Sequence, residues 1–450
     1  MPPLKTSLEA FKSPSRLTAL LICLQILGYP LAPSFAELVG IPNAILSYPI
    51  RFAVFFLALI QLPHALRFWK STSQFMRQCI GAYALFWFVF YSRVLYDLFV
   101  REVANTANLS VYIFFPFLVS GIPTLALFQL IKENQTKFIR EYFTYAGLIC
   151  TSLFIVNIVK LSPEAKAIKL LEGRFGLENL NPISAGYVGS VACLAAISFS
   201  IHEFTKENPV RSRQILGVFC ALMGLSMVLL AASRAPLVAC FLGIVILLFA
   251  EARVEDQIVK RKRLTLLLGI AMGVFLLVAL SGAQLLFGLN PFGRFETAFG
   301  DDPINKNSGT HRLMIGQIAL EHFFSNPLIG SSAFVNSLEV YPHNMLLEAL
   351  MVGGSMAAIP FLFLSFVGIF GWLKLYLSGK SPLLVAVSFI YAIASSNSGA
   401  IAENTESWGV IAVMVGYAVG LPVPQQWRTK SARAKTFPSS SPPTLSADEG

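Results

Sequence analysis

The chain is 450 residues long, 55% hydrophobic and only 13% charged, with a mean hydropathy of +0.66 and a net charge of +10. An ordinary soluble domain carries about 25% charged residues, so this composition excludes a soluble multidomain protein. The positive charge is spread over the breaks between apolar stretches, which speaks for membrane topology and against nucleic acid as a partner.

Apolar stretches of the length a bilayer requires predict spans at approximately 17–38, 44–63, 78–98, 109–131, 142–160, 183–201, 214–232, 235–250, 264–288, 350–373, 382–398 and 406–421. The expected fold class is an all-α polytopic membrane protein of about twelve transmembrane helices with one large extracytoplasmic loop. In chain order this gives helices over 1–288, the loop over 289–349, the last helices over 350–421 and a tail over 422–450. The first span has a basic start, and the small residues Ala32 and Ala36 resemble a signal-peptidase site, but it is read as an uncleaved helix. The tail is rich in Ser and Pro and too poor in apolar residues to fold alone. Cys23, Cys79, Cys150, Cys193, Cys220 and Cys240 sit in or beside apolar stretches without metal or redox spacing, so they read as small apolar residues.

Placing the N-terminus inside and alternating puts most of the 34 lysines and arginines in inside segments. Among them are Arg67, Lys70 and Arg77, then Lys132, Lys137 and Arg140, and later the run Lys260-Arg261-Lys262-Arg263. Both termini are therefore expected to be cytoplasmic. The long segment 289–349 then faces outward. It holds Phe292, Phe295, Phe299, Phe323, Phe324 and Tyr341, so an ordered cap against the membrane is expected, with a helix over Gly309–Phe324.

The polar residues suited to chemistry gather on that outer side. Ser233-Arg234-Ala235-Pro236 forms a very short turn between spans, where Arg234 either binds an anion through its planar fork or snorkels to the interface. Thr310-His311-Arg312 lies in the long loop, with Arg294 upstream, and either arginine can equally serve solubility alone. Tyr341-Pro342-His343-Asn344 precedes a helical run. Asn344 or the Pro342-His343 region would open that helix, whose N-terminal N–H groups suit an anion. His343 can act as a base toward a hydroxyl, or merely cap or pack. Arg51 lies inside the second span, and Arg93 and Asp97 are one helical turn apart and are expected to pair. No metal-ligand spacing, phosphate loop or nucleophile elbow is present in the sequence, so neither a metal nor a nucleotide cofactor is expected.

The order of these pieces resembles the O-antigen ligase and polymerase family of bacterial inner-membrane glycan-transfer proteins. The resemblance covers residues 181–360 and rests on Asn181-Pro182-Ile183-Ser184-Ala185-Gly186, Ser233-Arg234-Ala235, Arg312, Asn326-Pro327-Leu328-Ile329-Gly330, and His343-Asn344 with Leu347-Glu348 and Gly353. The chain departs from the family at Met314, where tryptophan is frequent nearby, and at Ser331-Ser332. The resemblance implies a glycosyl transfer at the periplasmic face of the inner membrane. Its donor would be an undecaprenyl-pyrophosphate-linked glycan, and its acceptor lipid A–core (a ligase) or another glycan (a polymerase). Arg234 and Arg312 would clamp the pyrophosphate, Arg174, Arg294 and Asn344 would support substrate binding, and His343 would be the catalytic base. A small-solute membrane transporter is the competing class. Transporters place polar residues around a midplane site, whereas most of those here lie at one interface.

Overall fold

The computed structural model describes residues 14–101, 113–114, 116–166, 175, 180–254, 259–266, 268–269, 271–273, 309–333, 342–397, 400–401 and 404–422. Arg174, Arg294, most of the segment 264–288 and the tail beyond residue 422 lie outside these residues. All elements among the described residues are helical.

A first span, Ser15–Val39, is built from α1 (Pro14–Cys23), a π-helical turn (Leu24–Gly28) and α2 (Tyr29–Val39). It is followed by α3 (Asn43–Ser71), α4 (Gln74–Phe99), a second π-helical turn (Phe117–Gly121) leading into α5 (Ile122–Leu127), and α6 (Glu133–Lys160). Then come α7 (Pro182–Thr205), α8 (Arg211–Ala231), α9 (Arg234–Glu251), α10 (Gly309–Ser325), α11 (Met345–Ser378), α12 (Pro382–Asn397) and α13 (Thr405–Gly420).

Among the described residues, eight helices are long and apolar enough to cross a membrane: the first span, α3, α4, α6, α7, α8, α9 and α11. The expected stretches 109–131 and 382–398 carry shorter apolar helices, Phe117–Leu127 and Pro382–Asn397. The stretch 406–421 forms the 16-residue α13. These three fall below the length of about 20 residues that a straight span needs. The loop helix expected over Gly309–Phe324 is present as α10.

Burial distinguishes lipid-facing helices from central ones. Helix α7 is buried along nearly its whole length, whereas α3, α8, α9 and α11 turn large apolar side chains such as Phe56, Ile215, Phe249 and Phe366 outward. A soluble protein rarely shows so much contiguous apolar surface. The six cysteines are all buried and unpaired by disulfides, in keeping with their apolar sequence context.

Without a hydrophobic force between helices in lipid, close packing and internal hydrogen bonds must hold the bundle. Helices α7 and α8 meet through Gly189 and Gly224, where an added Cβ on Gly224 would stand 2.6 Å from the backbone nitrogen of Cys193. A second centre is aromatic. Trp408 of α13 is fully buried among Tyr83, Phe86 and Trp87 of α4 and Phe361 of α11, with ring centroids 4.8–5.7 Å apart. Buried polar groups are tied across the bundle. The Asn157 amide donates to the Ser34 carbonyl (2.8 Å), and the Lys374 ammonium donates to the carbonyls of Ala418 and Leu421 at the end of α13.

Helix α11 is kinked at Gly354, whose φ of 56° and ψ of −145° lie outside the helical region. The segment after α10 fills the break. Ser331 N–H donates to the Met351 carbonyl (3.0 Å), while the N–H groups of Ser355 and Met356 donate to the carbonyls of Pro327 and Leu328 (2.8 and 3.1 Å). The kink therefore exchanges helical hydrogen bonds for bonds to the loop, as buried backbone requires. Gly330, with φ 71°, approaches Gly354 so closely that a Cβ on Gly354 would lie 2.6 Å from the Gly330 nitrogen. Only glycine meets both the left-handed backbone and this contact.

Candidate functional site

Several helix ends converge at one end of the bundle. Helix α8 closes on Ala232, a left-handed cap with φ 45° whose N–H donates to the Val228 and Leu229 carbonyls. Helix α9 starts immediately afterwards, so Arg234 stands in its first turn. The α9 start is fixed against α7 by Ser190, whose hydroxyl donates to the Gly186 and Pro236 carbonyls. Arg234 is partly buried and lies within electrostatic reach of Arg312.

Arg312 sits in the first turn of α10 and its Nη1 donates to the Asn397 carbonyl (2.8 Å) at the C-terminal end of α12. That end is also held by Asn344, whose Nδ2 donates to the Ser396 carbonyl (3.0 Å). Unsatisfied carbonyls at a helix C-terminus carry partial negative charge, which favours a guanidinium there. The arrangement leaves two guanidinium groups, from α9 and α10, facing each other's field. Like charges repel, and a shared dianion is the chemical partner that reverses the sign of that interaction.

His343 adopts a left-handed φ of 55°, uncommon for a residue with a Cβ. Strain of this kind costs about 1–3 kcal/mol and persists where surrounding structure imposes it. His343 directly precedes the cap of the next helix. Asn344 is the N-cap of α11, and its Oδ1 accepts from the N–H groups of Leu346 and Leu347 (3.0 and 3.1 Å). This changes the sequence-based picture of the helix start, because Asn344 already occupies two first-turn N–H groups that an anion would otherwise claim. The Asn344 amide thus joins the start of α11 to the end of α12 through its two ends. One turn later, buried Glu348 accepts from the Ile401 N–H (2.7 Å) and ties the α12–α13 connection to α11.

His343 also lines a cavity of about 410 Å³. Its walls come from the first span, α3, the start of α7, α12 and the start of α13, and include Gln25, Arg51, Tyr391 and Glu406. Arg51 stacks on the Tyr29 ring, 5.3 Å from its centroid. Arg234 and Arg312 are not among the lining residues.

The expected pairing of Arg93 with Asp97 is present, and it is part of a larger network that the sequence did not reveal. Asp97 is fully buried at the end of α4, with Arg93 at 3.2 Å and Arg101 at 3.4 Å. Its Oδ2 accepts from the Ala333 N–H (2.6 Å), while Arg101 Nη1 donates to the Ser331 carbonyl (2.7 Å). His322 Nδ1 lies 2.8 Å from the Ser331 hydroxyl, and burial together with Arg101 holds its imidazole below the usual histidine range. The network clamps the segment after α10 onto α4 and so sets where α10 and Arg312 lie. Breaking a buried charge pair by removing one partner costs about 3–5 kcal/mol. Asp97→Ala is accordingly expected to lower the Tm of the purified protein by several degrees and to increase proteolysis near residues 326–333. An unchanged melting curve would show that Asp97 does not hold this segment.

Of the residues singled out from sequence, Arg312 and Asn344 both hold the end of α12, His343 adjoins Asn344, and Arg234 lies within electrostatic reach of Arg312, while Arg174 and Arg294 lie outside the described residues. No family model matches the chain, and no curated protein matches it in sequence.

Proposed function

We propose that the chain is a membrane glycosyltransferase of the O-antigen ligase type. It transfers a glycan from undecaprenyl pyrophosphate to an acceptor hydroxyl such as one on lipid A–core, without a metal, at the periplasmic face of a bacterial inner membrane. The observation that carries this reading is that Arg234 and Arg312, on separate helices, lie within electrostatic reach of each other, while His343 immediately precedes the N-cap of α11. In this reading both termini are cytoplasmic, and α12, α13 and the segments 109–131 and 264–288 complete a set of about twelve crossings.

The chemistry follows from the charges. The acceptor oxygen attacks the anomeric carbon as the bond from that carbon to the pyrophosphate oxygen breaks. His343 takes the acceptor proton, and the departing undecaprenyl pyrophosphate carries away the bonding electron pair. Arg234 and Arg312 stabilise the charge that grows on the leaving group, and Arg174 and Arg294 are secondary ligands in the same reading. Preorganised donors of this kind are worth about 3–4 kcal/mol each in a transition state. A polymerase of the same superfamily would share the donor chemistry and differ in acceptor.

Lipid binding tests the clamp directly. Native mass spectrometry of the detergent-purified protein is expected to show retention of undecaprenyl pyrophosphate over undecaprenol. That preference should fall at least about tenfold, or 1.4 kcal/mol, in Arg234→Ala or Arg312→Ala. Equal retention of both lipids by the unsubstituted protein would overturn the assignment.

A further inference from the structure

The chain after α10 lies beside the middle of two spans, not above their ends. Gly354, where α11 breaks, is about 15 Å along the helix axis from the N-cap Asn344. Helix α4 gives a similar depth from its own end. Its Val89 packs on Gly353, where an added Cβ would stand 2.6 Å from Val89 Cγ1. Val89 is about 15 Å along the axis from Phe99, the last residue of α4. The 26 residues of α4 make a rod of about 39 Å, and a hydrocarbon core is about 30 Å thick. With α4 centred in that core, Val89 and the break in α11 stand about 10 Å inside it. Pro327 and Leu328, whose carbonyls accept from Ser355 and Met356, reach the same depth.

Non-helical backbone at such a depth must bond its polar groups to protein. Here the segment turns its backbone inward. Beyond the bonds to α11, the Gly330 carbonyl accepts from Arg93 Nη1 (3.4 Å), the Ser331 carbonyl accepts from Arg101 Nη1, and the Ala333 N–H donates to Asp97. Charges within a membrane pair with one another and with backbone carbonyls in this way. The apolar side chains point outward instead. Phe324, Leu328 and Ile329 are 70, 65 and 48% exposed. Met356, whose N–H is bonded to Leu328, and Ile359 about one turn on are exposed as well. The same stripe continues along α11 through Phe366 and Ile369.

We infer that the end of α10 and residues 326–331 re-enter the bilayer from the side of Arg312, holding Phe324, Leu328 and Ile329 against phospholipid acyl chains. Lipid is the occupant because these side chains extend the outward apolar stripe of α11 and lie at the depth of hydrocarbon. A cap resting on the membrane surface, as the sequence suggests, would leave them among head groups or in water. The bilayer thereby helps to seat α10, at whose other end Arg312 holds the end of α12. This placement is independent of any glycan transfer.

The test uses the full-length protein in phosphatidylcholine–phosphatidylglycerol vesicles, with a nitroxide attached at Leu328→Cys or, separately, at Ile329→Cys. The six native cysteines are buried, and the unsubstituted protein reports any label they take. Phe88→Cys, exposed on α4 next to Val89, is the reference for hydrocarbon. Glu207→Cys, in the exposed turn after α7, is the reference for water. Oxygen, which concentrates in lipid, and a water-soluble nickel chelate are the two relaxing agents in EPR power saturation. Both labels are expected to behave as Phe88→Cys does, with strong relaxation by oxygen and nearly complete loss of relaxation by the chelate. A ratio matching Glu207→Cys would overturn the inference and return the segment to the membrane surface. Slow relaxation by both agents would overturn it as well, because protein, such as a second copy of the chain, would then cover this face. Two adjacent exposed positions, each checked by its melting curve, keep the test decisive where one label disturbs the fold.

Discussion

Arg312→Ala is expected to reduce glycan transfer by about 10²–10³-fold, the loss that follows removal of one preorganised donor to a developing oxyanion. The same variant should leave the protein in the membrane with its spans intact, because Arg312 lies in α10 outside the crossing helices. Its bond to the Asn397 carbonyl contributes to the end of α12, so a modest fall in Tm accompanies the loss of rate. Arg312→Lys separates charge from geometry. It retains the cation but not the planar fork, and should recover only part of the rate. Arg234→Ala should fall in the same range. The double variant should lose less than the product of the single losses, since both groups act on one dianion. Full activity in Arg312→Ala, measured with saturating donor, would remove the clamp.

The second large effect is at His343. Replacement by alanine is expected to slow transfer by about 10²–10⁴-fold, the usual contribution of a positioned base. A packing role would also lower activity, so the informative readout is rescue. The left-handed backbone at His343 favours glycine, which makes His343→Gly the variant least disturbed in fold. The adjoining cavity gives room for free imidazole. Added imidazole should restore part of the rate in His343→Gly and none in Arg312→Ala. Absence of rescue with preserved folding would reduce His343 to a structural residue.

Much of the bundle was legible because hydropathy and charge act locally. The eight long spans fall where apolar runs of the right length occur, and the separation of basic segments follows the chain alternation. Arg234 and His343 stood out because a charged or titratable group beside an apolar run is costly unless used. Less was legible where a property depends on contacts between distant segments. Nothing local to Asp97 shows that its carboxylate holds the backbone at Ala333. Gly354 reads as an ordinary membrane-helix glycine until Gly330 is seen to occupy the break beside it. Asn344 reads as able to open the following helix and does so as N-cap, but that its own Oδ1 takes the N–H groups of Leu346 and Leu347 was not legible. The cavity is assembled from Gln25, Arg51, His343 and Glu406, residues scattered across nearly the whole chain. Their spacing carries no pattern. The expected count of about twelve spans includes apolar stretches of only 16 residues, and among the described residues eight helices have the length of a crossing while Phe117–Leu127, α12 and α13 are shorter and the first span is interrupted by a π-helical turn.

The most direct test of the account is transfer by the purified protein in detergent, with an undecaprenyl-pyrophosphate-linked glycan, lipid A–core and excess EDTA. The expected result is glycan appearing on lipid A–core at a rate unaffected by EDTA and lost in His343→Ala. The result that would contradict the account is folded protein that transfers glycan to neither lipid A–core nor a second lipid-linked glycan, yet moves a small solute across liposomes.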